Sequence, residues 1–130
     1  MYVLDTNTLI YFFKDQGNVV EQLFSKLPEE ISISSIVLFE LEVGIAKSSS
    51  PEKRRKQLKS LISHISILPF EAPEARSSAE IRATLERSGQ PIGPYDTLIA
   101  GTALANRAVL VTHNTAEFER VNGLEIEDWY

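Results

Sequence analysis

The chain has 130 residues, a net charge of −5 and no cysteine. Without cysteine there is no disulfide framework, no thiol catalysis and no cysteine-based zinc site, which suits a reducing cytoplasm. The acidic balance argues against a protein that coats nucleic acid by bulk charge, although not against a nuclease whose acids gather around a metal. Apolar residues at 43% and charged residues at 24% match an ordinary globular protein, and the length predicts one domain. No basic segment precedes an apolar stretch at the N-terminus, and no apolar run nears the roughly 20 residues of a membrane span, so neither a signal peptide nor a membrane helix is expected.

In chain order, short β-branched or apolar runs at Tyr2–Leu4, Ile31–Ser34, Ile65–Leu68, Ala108–Thr112 and, weakly, Leu124–Ile126 predict strands. Between them lie helical patterns at Thr8–Lys14, Val19–Leu27, Ile36–Lys47, Glu52–His64, Glu74–Ser88 and Pro94–Arg107. Ser48-Ser49-Ser50-Pro51 breaks two of these helices, with Ser50 as a cap and Pro51 in a first turn. Strands alternating with helices predict an α/β fold with a central parallel sheet of four to five strands flanked by helices. Ligands of such sheets bind beyond the carboxyl ends of the strands, where Asp5 follows Leu4 and Thr112-His113-Asn114 follows Val111.

The acids divide into four positions, each with an ordinary structural explanation. Asp5 at the end of the first strand can cap the next helix by accepting N–H bonds from Asn7 or Thr8. Glu40 lies in Ile36–Ala46, a run apolar nearly all round that predicts a largely buried helix in which a carboxylate needs a partner or a wet cleft. The alternation from Phe39 to Val43 also suits a strand, but the run is long for one. Gly44, one turn on, weakens the helix by roughly 1 kcal/mol against alanine and suggests close backbone packing around Glu40. Glu42 faces elsewhere and reads as a rim residue. Asp96 follows Pro94 in a first helical turn, where the helix dipole favours an acid by about 0.3–1 kcal/mol whatever its function. Glu117, three residues after Asn114, fits a capping box. His113 reads as a surface loop histidine.

Taken together, four carboxylates converging on one rim would repel one another and raise their pKa values unless a cation sat among them. A hard divalent ion with oxygen ligands fits, and the chemistry it favours is metal-assisted phosphodiester hydrolysis.

The motifs Val3-Leu4-Asp5-Thr6-Asn7, Phe39-Glu40-Leu41-x-x-Gly44, Ile92–Ala100 and Leu110–Phe118, in that order, resemble the PIN-domain ribonucleases, and within them the VapC toxins of toxin–antitoxin pairs. The resemblance runs through Val121–Trp129 and implies a single PIN domain over residues 1–130. It further implies a cytoplasmic Mg²⁺- or Mn²⁺-dependent endoribonuclease specific for single-stranded RNA, with Asp5, Glu40 and Asp96 in its acidic site. A homodimer neutralised by a VapB-type antitoxin is expected, and a tRNA substrate, the anticodon loop of the initiator tRNA foremost. Many members carry Asp where Asn114 stands, so Glu117 is assigned to the fourth position, with Asn114 and Thr112 as hydrogen-bonding support. On this assignment Asp5 and Asp96 bind the principal metal, Glu40 orients or deprotonates the attacking water, and Thr6 and Asn7 hold Asp5. The basic run Lys53–Lys56 and Arg76, Arg82 and Arg87 read first as solvated helix faces and otherwise as grips on RNA backbone. Tyr95 either packs or stacks on a base.

Two readings from other classes stand beside this one. "DTNT" loosely resembles the nucleophile loop of haloacid-dehalogenase-like phosphatases, but Asn7 stands where that loop has its second acid. A non-catalytic PIN-like module that only binds partners would show no metal-dependent cleavage.

Overall fold

The computed structural model describes residues 1–130. Five strands, β1 (Tyr2–Leu4), β2 (Ile31–Ser34), β3 (Ser66–Leu68), β4 (Val109–Val111) and β5 (Ile126–Glu127), form one sheet in the order β3-β2-β1-β4-β5, every pair parallel. Val3, Leu4, Ile31, Ile33, Leu110 and Val111 on the three inner strands are at most 1% exposed, as continuous apolar strands covered on both faces require. The helices are α1 (Thr6–Phe13), α2 (Val19–Phe24), α3 (Ser35–Ala46), α4 (Pro51–Ile62), α5 (Ala72–Arg87), α6 (Pro94–Ala105) and α7 (Thr115–Phe118). None is long and apolar enough to cross a membrane.

The strand order creates the place for a site. From central β1 the chain steps outward through β2 and β3 on one side, then returns to lay β4 and β5 on the other. The carboxyl ends of β1 and β4 therefore flank the switch point, where parallel α/β sheets leave a crevice. Register puts Leu4 opposite Val111, and the Asp5 N–H donates to the Val111 carbonyl at 3.0 Å, so Asp5 and Thr112 emerge side by side.

Several expectations need correction. The predicted helix Val19–Leu27 stops at Phe24 and gives way to a 3-10 turn at Pro28–Glu30, because Pro28 cannot continue the hydrogen-bond ladder. The last strand is Ile126–Glu127 rather than Leu124–Ile126, its register set by pairing with Leu110 and Val111. Ser50 makes no side-chain cap bond; its N–H donates to Ser48 Oγ instead. α3 is not buried all round: Val37, Leu41 and Ile45 face the core, while Phe39 and Val43 are exposed. At Gly44 a Cβ would meet nothing within 4 Å, so this glycine borders open space and no backbone crowds Glu40 there. Close approach occurs instead between α5 and α6, where a Cβ on Gly101 would lie 2.8 Å from Ser78 Cα.

Candidate active site

Asp5 is 5% exposed and is the N-cap of α1. Its Oδ1 accepts the Thr8 N–H at 2.9 Å, and its Oδ2 accepts the Thr112 hydroxyl at 2.6 Å. Capping and site geometry are thus one arrangement. Burial pushes the Asp5 carboxyl above its ordinary value, the bonds from Thr112 and Thr8 pull it back, and the charge of Asp128 adds to the rise. Each oxygen has one donor, which leaves carboxylate lone pairs open to a cation.

Glu40 is half-buried on α3, and its Oε1 accepts the Thr6 hydroxyl at 2.7 Å. Thr6, expected to steady Asp5, steadies Glu40. Asn7 is exposed and has no role in fixing Asp5; Thr8 and Thr112 fix it, and Thr8 Oγ1 also donates to the Val111 carbonyl. Glu40 sits in the wall of a cavity of about 320 Å³ between α1, α3 and α4, lined also by Ile10, Phe13, Lys14, Leu41 and Arg54.

Asp96 stands in the first turn of α6, whose first residue is Pro94. Its carboxyl is pushed from 3.8 up to about 6 by burial first, then by the negative charges of Glu117, Asp5 and Glu40. The negative charges of the three other acids thus all act on Asp96 and disfavour its charge. Glu117 is held differently. Its Oε2 accepts from Asn114 Nδ2 at 2.7 Å and its Oε1 from the Gly93 N–H at 2.8 Å, and these bonds keep its carboxyl below the usual range. Asn114 makes no cap bond with its side chain, so the expected capping box of α7 is absent and Glu117 instead ties α7 to the turn that starts α6. A Cβ on Gly93 would lie 3.5 Å from Asp96 Oδ2 and 3.9 Å from Glu117 Oε1, so the space between the two carboxylates is open because residue 93 has no side chain.

The donor set fits a hard divalent cation. It consists of oxygens only, and two members, Asp5 and Asp96, carry raised pKa values that a positive charge would relieve. No three carboxylate or imidazole groups are close enough to share an ion by direct coordination. The fit is therefore to an ion that takes one or two carboxylates and keeps its remaining sphere for water and phosphate, as Mg²⁺ does. The phosphatase reading fares worse: no second acid neighbours Asp5 at the loop, where Asn7 points outward.

Thr8 Oγ1, the Gly93 N–H and the charge of Asp128 on Asp5 could not be read from the chain order, because each depends on strand register or on turns far apart in the chain.

With this geometry in view, the likeness to known proteins is direct. The PIN domain family model matches residues 2–124, and the chain belongs to that family. A tRNA(fMet)-specific endonuclease VapC of Shigella flexneri is 41% identical over 98% of this chain and 97% of its own length. Ribonuclease VapC2 of Rickettsia felis is 37% identical over 99% and 98% of the two chains. Among solved structures, a chain of the DNA-bound VapBC complex of Salmonella typhimurium superposes with a TM-score of 0.93 at 40% identity, covering 99% of this chain and 98% of that one.

Proposed function

We propose that this rim is the site of a metal-assisted endoribonuclease, the toxin of a type II toxin–antitoxin pair, acting in the cytoplasm on the initiator tRNA. The protein is a ribonuclease of the VapC kind, partnered by a VapB-type antitoxin. The single observation that carries the site assignment is the convergence of Glu117, Asp5 and Glu40 on Asp96 at the switch point of the sheet. The choice of tRNA rests on the name of the Shigella relative.

Asp5 and Asp96 would hold a Mg²⁺ or Mn²⁺ ion, which when bound activates water and neutralises charge on a phosphodiester. Thr8 and Thr112 fix both oxygens of Asp5 before substrate arrives. Glu40, oriented through Oε1 by Thr6, takes a proton from the attacking water at its free Oε2. Glu117 and Asn114 keep the Gly93 turn in place and so position Asp96. Burial of Asp5 limits competing solvent. The protein acts as a homodimer on this reading; Phe39 and Tyr95, 50% and 46% exposed with ring centroids 5.7 Å apart, form with Val43 an apolar face that a second copy would cover.

The test is expression in bacteria of wild type against Asp5→Ala and Asp96→Ala, with total tRNA run on a gel. Wild type should arrest growth and cut one tRNA, and both variants should do neither. Growth arrest by both variants would refute the site assignment; arrest by wild type with every tRNA whole would refute the substrate alone.

A further inference from the structure

The strand ends beside Asp5 carry more than carboxylates. β1, β4 and β5 are adjacent, with Leu4 opposite Val111 and Val111 opposite Glu127. The next residue of each strand, Asp5, Thr112 and Asp128, therefore stands on the same rim, followed by His113 and Tyr130. The His113 and Tyr130 rings stack with centroids 4.3 Å apart at 23°. Tyr11, on the helix that Asp5 caps, meets both edge-on at 5.9 and 4.8 Å.

This stack is held from several directions. Asp128 Oδ2 lies 2.9 Å from His113 Nδ1, while Asp128 Oδ1 accepts the Tyr130 backbone N–H at 2.9 Å, so one carboxylate ties the His113 ring to the Tyr130 main chain. The Tyr130 carbonyl accepts from Asn18 N–H at 2.8 Å and Asn18 Nδ2 at 3.1 Å. Gly17 has φ +62°, and a Cβ there would meet Tyr130 O at 2.6 Å and the ring Cγ at 2.9 Å, so only glycine leaves room for the tyrosine. Yet the His113 side chain is 46% exposed and Tyr130 44%. These two partly exposed rings are thus tied to one rim by Asp128 and packed against Tyr11, on the strand ends that also carry Asp5.

We propose that His113 and Tyr130 form a stacking platform for an unpaired base of the RNA, beside the phosphodiester that is hydrolysed at the carboxylates. The inference rests on the nuclease reading and deepens it. Asp128 is the positioning residue of the platform, and Tyr11 buttresses it. Flat, partly polar rings suit a nucleobase better than an aliphatic side chain, and every base has a π-face, so the platform is tolerant of base identity. It selects for single strands, because a base in a helix is already stacked and has no free face to offer.

The test uses full-length protein carrying Asp5→Asn, so that RNA stays whole, and a labelled single-stranded oligoribonucleotide followed by fluorescence anisotropy. Adding His113→Ala or Tyr130→Ala should weaken binding about tenfold, the order expected for one base–aromatic stack. His113→Phe, which keeps the stack and loses the hydrogen bond, should stay within about threefold. An abasic nucleotide placed at each position in turn should weaken binding at one position, and that penalty should vanish in His113→Ala. Circular dichroism verifies the fold; the Asn18 contacts are to Tyr130 backbone and survive Tyr130→Ala. Unchanged affinity in both alanine variants, or the same abasic penalty with and without His113, overturns the platform. So does a loss confined to antitoxin affinity, which would assign these rings to the protein partner. RNA cleavage by otherwise wild-type His113→Ala at unchanged KM sinks the platform and leaves the nuclease reading standing, whereas no RNA binding by any form sinks both.

Discussion

Replacing Asp96 by asparagine should make the metal-free protein more stable at pH 8 while abolishing its activity. The folded carboxyl titrates at about 6, against an ordinary 3.8. Between those values the folded state holds a proton that the unfolded chain has lost, so stability falls as pH rises through that window and stays reduced above it. In a fully sheltered site the difference would correspond to about 3 kcal/mol; partial exposure of Asp96 screens it to roughly 1–2 kcal/mol. The charge also gains about 0.3–1 kcal/mol from the first turn of α6, which asparagine forfeits. The net expectation is a gain of about 1 kcal/mol, or roughly 3–6 °C in Tm for a chain of this size. Thermal unfolding by circular dichroism in EDTA at pH 8 and pH 5 measures it. The gain should be present at pH 8 and shrink at pH 5, where wild-type Asp96 is itself protonated. Mg²⁺ should raise the Tm of wild type and leave Asp96→Asn nearly unmoved, because an ion that binds only the folded state stabilises it by mass action. A variant no more stable at pH 8, or equally stabilised at both pH values, would refute the reasoning that acids crowd Asp96.

Thr112→Val keeps the buried shape but removes the donor to Asp5 Oδ2 and the acceptor for the Asn114 N–H; chemical denaturation should show a loss of about 2–3 kcal/mol. The same variant should lose cleavage more than stability alone explains, seen as a lower kcat at temperatures where it remains folded. Thr6→Val should leave stability within about 1.5 kcal/mol, since the bond it removes is only part-buried, yet lower kcat about tenfold with KM unchanged by releasing Glu40. Gly101→Ala should destabilise by about 1–3 kcal/mol in a thermal melt, because its methyl group would meet the Ser78 backbone where α5 and α6 touch.

Much of this arrangement was legible in the sequence, and the illegible part has a physical pattern. Apolar β-branched runs located the inner strands, and Pro94 located the start of α6, because both signals are local. The placing of Asp5 at a strand tip followed from the same local logic. The exposure of Phe39 and Val43 was not readable, since which side of an apolar helix meets the core is decided by neighbours, not by the helix. Likewise the bond between Thr6 and Glu40 spans 34 positions and that between Thr112 and Asp5 spans 107; both arise from sheet topology. Asp128 carries no local signal of a role, because only the pairing of β5 with β4 brings it to the rim. Glu117 looked like a capping residue because a capping box and a turn clamp share the same spacing; only the Gly93 N–H, 24 positions away, distinguishes them.

One assay tests metal-assisted cleavage at this rim most directly: purified wild type and Asp5→Asn incubated with initiator tRNA, with Mg²⁺ or with EDTA, and the products resolved on a denaturing gel. Asp5→Asn keeps one oxygen to accept the Thr8 N–H and places an amide N–H where Oδ2 stood, which can donate to the Thr112 hydroxyl, so the strand-tip turn survives while the negative charge is lost. Wild type should cleave at discrete positions in Mg²⁺ and not in EDTA, and Asp5→Asn should cleave in neither condition. Cleavage that persists in EDTA, or that Asp5→Asn performs at the wild-type rate, would contradict metal-assisted cleavage at this rim.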